Sequence, residues 1–459
     1  MTEGEEVREE PVRKDPAPKD AVQVSIRMSH NLIRPDCAGT VWAVLELRSG
    51  TVEREGQAKR LPLNVGLVLD RSGSMSGQPL EYVKDAATFV VGQVGAADRF
   101  SLVTFDDEVS TVCPSQQVTD KDRLKSAIGG IQAGGLTNLS GGFLRGFQEV
   151  LRGVQPGQVN RIILLTDGQA NVGIQDPAIL AGKSRTMAEK GVSVSSIGVG
   201  DGFNEDLLMA MSDAGRGNFY YIKNPDEIPR VFAEELEGLL TVVAQGMRVT
   251  VAGGDGFGVG SVLGYEPGVV PEGAFVDLPD MYENETKVLI LGLTHPALPV
   301  GNYEVLKAGV EYADAVGNLD AVSLNASVRL SVGDGPAESY EPNIEIIKIV
   351  ELTRTALAKD QAVDLLDKGD VEQGKKVLEE RLNSLNELQR SCGKPDEEIV
   401  TEARNLESLL SACASEMDSG DPSKGQSMLR ESSFRKDLRY QSYMRRRSRK
   451  PGSGDGSAD

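Results

Sequence analysis

Three short stretches of this sequence carry oxygen donors in a pattern that fits a hard cation. The apolar run LNVGLVLD leads directly into Asp70-Arg71-Ser72-Gly73-Ser74, in which Asp70, Ser72 and Ser74 alternate. A tight loop turns those oxygens toward one point, and Gly73 relieves the backbone crowding this requires. GGLTNLSGG supplies Thr137, and LLTDG supplies Asp167. Carboxylates and hydroxyls without thiolate or imidazole indicate a hard cation. Mg²⁺, near-octahedral at about 2.0–2.1 Å and retaining water, suits so compact a set better than Ca²⁺, which takes more ligands at longer distances. Mn²⁺ is the expected substitute. Two carboxylates against a divalent ion leave the protein's share of the shell about neutral, so the ion stays electrophilic toward an incoming carboxylate.

The elements that must position these donors are legible as patterns. LPLNVGLVLD, RFSLVTF, NRIILLTDG, VSVSSIGVG and NFYYIKN read as strands, and LEYVKDAATFVVGQV, DRLKSAIGGI, SGGFLRGFQEVLRG and PAILAGKSRTMAEKG have helical spacing. Strands alternating with helices over residues 61–244 predict an α/β domain, a doubly wound and mainly parallel sheet with helices on both faces. Its binding loops then fall at the carboxyl ends of the strands, where all five donors stand. RFSLVTFDDEVSTVC predicts one antiparallel edge hairpin, and PDEIPRVFAEELEGLLTVVA a closing helix to about Ala244.

Around this unit the patterns change. VQVSIRMS and TVWAVLELRS alternate with period two, and residues 246–335 return to short β runs between Gly, Pro, Asn and Asp. Because 21–60 is too small to stand alone, it is expected to join 246–335 in a discontinuous β-sandwich interrupted by the α/β domain. Residues 340–418 read as two or three packed helices. Residues 1–20 mix charge and proline and predict a disordered arm, and 419–459 predict a flexible basic tail.

At this point Asp70-x-Ser72-x-Ser74, Thr137 and Asp167-Gly168 resemble the metal-ion-dependent adhesion site of von Willebrand factor type A (vWA) domains, as in integrin I domains. The resemblance covers about residues 61–244 and implies a Rossmann-like vWA fold. It also implies direct metal contacts from Ser72, Ser74 and Thr137, contacts through water from Asp70 and Asp167, and a Glu or Asp of a protein partner completing the shell. The wider arrangement is similar to intracellular vWA proteins and to inter-α-trypsin inhibitor heavy chains.

Composition narrows the function. With two histidines, His30 and His295, far apart in sequence, a Ser/His/Asp hydrolase has almost no candidates. Cys37, Cys113, Cys392 and Cys413 show no CxxC spacing and read as free thiols. Gly182-Lys183-Ser184 lacks the glycine a phosphate loop needs, since Pro177 stands there. A phosphotransferase with Asp70 as nucleophile lacks a second carboxylate at position 72 and a general acid. The formal charge of −20 opposes nucleic-acid binding, except through the basic tail 430–450, where nine Lys/Arg face two acidic residues. No apolar run reaches membrane-spanning length. The expectation is a cytoplasmic protein-binding module and no enzyme. The alternative is a scaffold whose metal only stabilises the vWA domain while helices or the basic tail make the contacts.

Overall fold

The computed structural model describes residues 21–52, 60–271, 273–316, 319–418 and 432–447. The expected arm at 1–20 lies outside the described residues. The chain opens with β1 (Val22–Met28), β2 (Leu32–Ile33) and β3 (Gly39–Ser49). The α/β domain follows. Its first half runs β4 (Leu63–Asp70), α1 (Gln78–Gln93), β5 (Arg99–Phe105), β6 (Val109–Gln117), α2 (Lys121–Gly129) and α3 (Leu139–Gly153). Its second half runs β7 (Val159–Thr166), α4 (Pro177–Glu189), β8 (Val192–Val199), α5 (Glu205–Ala214), β9 (Arg216–Ile222) and α6 (Ile228–Leu240).

These strands form one sheet in the order β6-β5-β4-β7-β8-β9, parallel except for the β5–β6 hairpin. Every residue of β4 and β7 is buried, as strands covered on both faces must be. Alternation splits them between two cores. Leu63, Val65, Leu67 and Leu69 pack with α1 and α6, whereas Val68, Ile162 and Leu164 pack with α3, α4 and α5. Caps start the helices where the sequence places them: the Asn138 side chain accepts from the Gly141 amide at 2.9 Å, and Asp176 caps α4. Gly182-Lys183-Ser184 lies inside α4 with Ser184 buried, which no phosphate loop could be.

The closing helix ends earlier than its pattern predicts. α6 stops at Leu240, and the β-branched run Thr241-Val242-Val243 turns directly into β10 (Val242–Gly253), where Ala244 pairs with Met281 and Asp314. There follow β11 (Gly258–Leu263), β12 (Gly268–Val270), β13 (Gly273–Asp277), β14 (Met281–Tyr282), β15 (Thr286–His295), β16 (Gly301–Asp314) and β17 (Asp320–Val332). Two sheets result among the described residues, ordered β1-β3-β15-β11 and β12-β13-β10-β16-β17-β2, with β14 beside β10. Their inner faces share one core, with Val41, Ala43, Leu45 and Leu47 of β3 against Val249, Val251, Leu306 and Val310. β3 supplies the central pairing, from Arg48 opposite Thr286 to Gly39 opposite His295. Deleting residues 21–60 therefore removes β1 and β3, unpairs one edge of β15 and uncovers Leu289, Leu291 and Leu293. The truncated protein is expected to aggregate and to melt earlier, as read by sedimentation velocity and scanning calorimetry; unchanged behaviour would make the N-terminal strands independent.

Three long helices, α7 (Ile344–Asp367), α8 (Val371–Ser391) and α9 (Glu397–Asp418), pack around Leu352, Val363, Leu378, Leu385 and Leu406. α7 also lies on the outer face of the β3 sheet, with Ile346 and Val350 against Val44 and Ile290. The flexible tail expected at 419–459 is corrected over Ser432–Arg447, which form helix α10. Its Lys436, Leu438, Arg439, Ser442 and Tyr443 are buried against the α/β domain and α7. The charges that read as a solvated run find acidic partners only after folding. The remaining tail residues lie outside the described residues. No helix among the described residues is long and apolar enough to cross a membrane.

Candidate metal centre

The five donors singled out above meet at the carboxyl edge of the sheet. Asp70 is the last residue of β4 and is fully buried, and Asp167 follows the last residue of β7, the neighbouring strand. The Ser72 amide donates to Asp70 Oδ1 at 2.8 Å, so the loop folds back over its own strand end. Ser72 Oγ lies 3.2 Å from Ser74 Oγ, and Ser74 donates to Asp167 Oδ1 at 2.7 Å. Thr137 joins from the loop before α3: a Cβ placed on Gly168 would lie 3.1 Å from Thr137 Oγ1 and 3.9 Å from Ser74 Oγ. Asp70, Ser72 and Thr137 are buried, whereas Ser74 faces outward.

Neighbouring loops hold this arrangement rigid. The Gly73 amide donates to the Gly135 carbonyl at 2.9 Å and the Gly134 amide to the Arg71 carbonyl at 2.7 Å. Arg71 pairs with Asp106 at 3.0 Å. Gly134 and Gly135 are glycine because of close approach: a Cβ at either would fall 1.6 Å from Asp106 Oδ2 or 2.1 Å from Asp107 Oδ1. The Thr137 amide donates to Asn171 Oδ1 at 2.9 Å, and the Asn171 and Val172 amides donate to the Thr137 carbonyl.

Sequence reasoning missed Thr166, Asp106 and Asn171. Thr166 Oγ1 donates to Asp70 Oδ2 at 2.5 Å, orienting the carboxylate from the adjacent strand. Its position beside Asp167 in LLTDG, and that of Asp106 just after β5, were the available signals, since both stand at strand ends.

Electrostatics leave the pair of carboxylates short of positive charge. Burial pushes the Asp70 carboxyl up to about 6, against hydrogen bonds from Ser72 and Thr166 and with added repulsion from Asp167. Burial also raises Asp167, opposed by the Ser74 hydroxyl. Among the described residues, neither carboxylate has a basic partner. Nor do the described residues hold any group of three or more His, Cys, Asp or Glu placed for a metal; this set is two carboxylates with three hydroxyls. Such a set fits one hard divalent cation whose shell is left open to outside oxygen.

Comparison with known proteins agrees with the fold. Residues 64–234 match the sequence model of the von Willebrand factor type A domain, and the chain therefore carries a vWA domain. An uncharacterized protein of Synechocystis sp. is 29% identical over 321 residues, 66% of this chain and 74% of that protein. Inter-alpha-trypsin inhibitor heavy chain H4 of Homo sapiens is 31% identical over 148 residues, 30% of this chain and 16% of that protein. The chain thus spans about three quarters of the first relative and under a fifth of the second. The solved structure of a von Willebrand factor type A protein from Catenulispora acidiphila covers 87% of this chain and 91% of its own, with a TM-score of 0.66 at 16% identity. That coverage extends the likeness in fold beyond the vWA domain.

Proposed function

We propose that the vWA domain binds a protein partner through Mg²⁺, with Mn²⁺ as a substitute, held by Asp70, Ser72, Ser74, Thr137 and Asp167. A Glu or Asp carboxylate of the partner completes the shell. The observation that supports this most is the convergence of three hydroxyls and two carboxylates without a basic partner at one open strand-end site. A bound cation supplies an electrophile for the partner's anionic oxygen. Asp70 and Asp167 compensate its charge, and the hydroxyls coordinate without adding more. Thr166 and the Ser72 amide orient Asp70, while the clasp between residues 71–73 and 134–135 keeps the donors from rearranging. Both histidines belong to the β-sandwich, far from these donors in the chain. The role is recognition inside the cell, and the chain works as a binding module and not an enzyme.

Capture of partners from cell extract in Mg²⁺ and again in chelator tests this. The captured partner's affinity is then measured with wild type, Thr137→Ala and single Asp/Glu→Ala changes in the partner. Thr137→Ala is expected to weaken binding by about tenfold or more, at a stability cost of about 1 kcal/mol from the buried hydroxyl and methyl it removes. One partner carboxylate should prove equally sensitive. Equal binding by every variant in chelator would move the interface to the helices and make the metal a stabiliser only.

A further inference from the structure

The last helix among the described residues reaches the loop that abuts the metal centre. Lys436 of α10, 3% exposed, donates from Nζ to the Phe203 carbonyl at 2.6 Å, pairs with Glu205, and lies 4.1 Å from the centre of the Phe203 ring. Phe203 belongs to the β8–α5 connection, and two contacts lead from that connection to the site. A Cβ on Gly202 would fall 2.4 Å from the Asp167 carbonyl oxygen, so the Gly202 backbone packs directly on Asp167. The Phe203 ring covers Gly198, where a Cβ would meet it at 2.3 Å. Gly198 pairs with Thr166, the residue whose hydroxyl orients Asp70. The backbone of Asp167 and the strand neighbour of Thr166 thus rest on a segment that Lys436 holds.

The rest of α10 anchors this contact from outside the vWA domain. Arg439 bridges Asp206 of α5 and Asp364 of α7, each at 2.7 Å. The Phe219 amide donates to the Tyr443 hydroxyl at 2.9 Å, and the rings of Phe219 and Tyr443 meet edge to face at 5.6 Å. Arg447, by contrast, pairs with Asp213 near the end of α5 distant from Phe203 and takes no part in holding that contact.

We infer that Lys436 is a positioning residue for the metal centre, and that α10 is the strap through which the helical domain sets its affinity. This rests on the metal reading above. Lys436 touches neither metal nor partner; it holds residues 202–203 against Asp167 and beneath Thr166, so that both carboxylates stand where the hydroxyls converge. Coupling of this kind is reciprocal, so a cation at the site must in turn favour the docked state of α10.

Mn²⁺ titration by calorimetry on the full chain tests it, comparing wild type, Lys436→Met, Arg447→Ala and Ser72→Ala/Ser74→Ala. Lys436→Met is expected to lower Mn²⁺ affinity about five- to tenfold, while Arg447→Ala, on the same helix but away from residues 202–203, stays within about twofold. Melting in chelator separates the two effects, since a purely structural role moves melting for both variants and affinity for neither. Should Lys436→Met fail to fold, amide hydrogen exchange on wild type decides: Mn²⁺ is expected to slow exchange in 432–447, and not in Ser72→Ala/Ser74→Ala. Equal affinities in Lys436→Met and wild type, or exchange in α10 indifferent to Mn²⁺, would overturn the inference and leave the metal site intact. Unchanged Mn²⁺ binding in Ser72→Ala/Ser74→Ala would instead overturn the site itself.

Discussion

Replacing Arg161 with methionine is expected to destabilise the protein by about 3–5 kcal/mol, the cost of breaking a buried ion pair by removing one partner. Arg161, on β7, is fully buried, and its guanidinium lies 2.9 Å from Asp280 and 3.7 Å from Glu235. Asp280 belongs to the β-sandwich and Glu235 to α6, so one side chain joins the two domains. Glu235 also accepts from Ser195 at 2.5 Å, Asn218 at 2.9 Å and Tyr220 at 2.8 Å. Without the guanidinium two buried carboxylates lose the cation they share. Glu235→Gln in the same chain is expected to restore part of the loss.

The pH dependence gives a second reading of the same variant. Burial alone raises Glu235, but the Arg161 charge and the hydrogen bonds from Ser195, Asn218 and Tyr220 bring it below its ordinary value. A carboxylate lowered in the folded state stabilises above its unfolded pKa of about 4.3 and loses that contribution as pH falls through the folded value. In Arg161→Met burial dominates, the folded value rises, and the variant regains stability as pH falls toward about 4.3. Urea midpoints for both proteins should therefore converge between about pH 7 and about pH 5. A deficit that stays constant over this range would show that the loss comes from packing and not from charge. Metal affinity should be unchanged, because Arg161 stands near the opposite end of β7 from Asp167.

Ser72→Ala/Ser74→Ala is expected to lower Mn²⁺ affinity at least about 100-fold, beyond the 10- to 100-fold typical of changes behind the ligands. Two of five donors disappear, and Asp167 loses the hydroxyl that holds it at 2.7 Å. Fold stability in chelator should fall by only about 1 kcal/mol, since Ser74 is exposed and the buried Ser72 loses one hydroxyl. Calorimetric titration with Mn²⁺, beside melting in chelator, measures both quantities. Retained affinity would mean that Asp70 and Asp167 serve only to close the strand ends. A fall in melting as large as the fall in affinity would mean that the hydroxyls are structural.

By itself, the sequence determined the fold class and singled out the candidate donors, because both are written in local patterns. LNVGLVLD and NRIILLT read as strands, helical spacing followed each, and oxygen donors stood at the strand ends where such a sheet binds ligands. Local pattern also separated the two strands legible in 21–60 from a self-sufficient unit, since two strands cannot close a core. Only the tertiary structure decided what pairs across distance. Arg161 reads as one polar residue in an apolar strand until Asp280, 119 residues away, comes within 2.9 Å. The basic run at 435–447 reads as solvated until Glu205, Asp206, Asp364 and Asp213 line its docking face. Thr166 and Asn171 become parts of the candidate metal centre only when their strand and loop lie beside Asp70 and Thr137. Periodicity and turn chemistry depend on neighbours in the chain, whereas charge pairing and the orientation of a donor depend on neighbours in space.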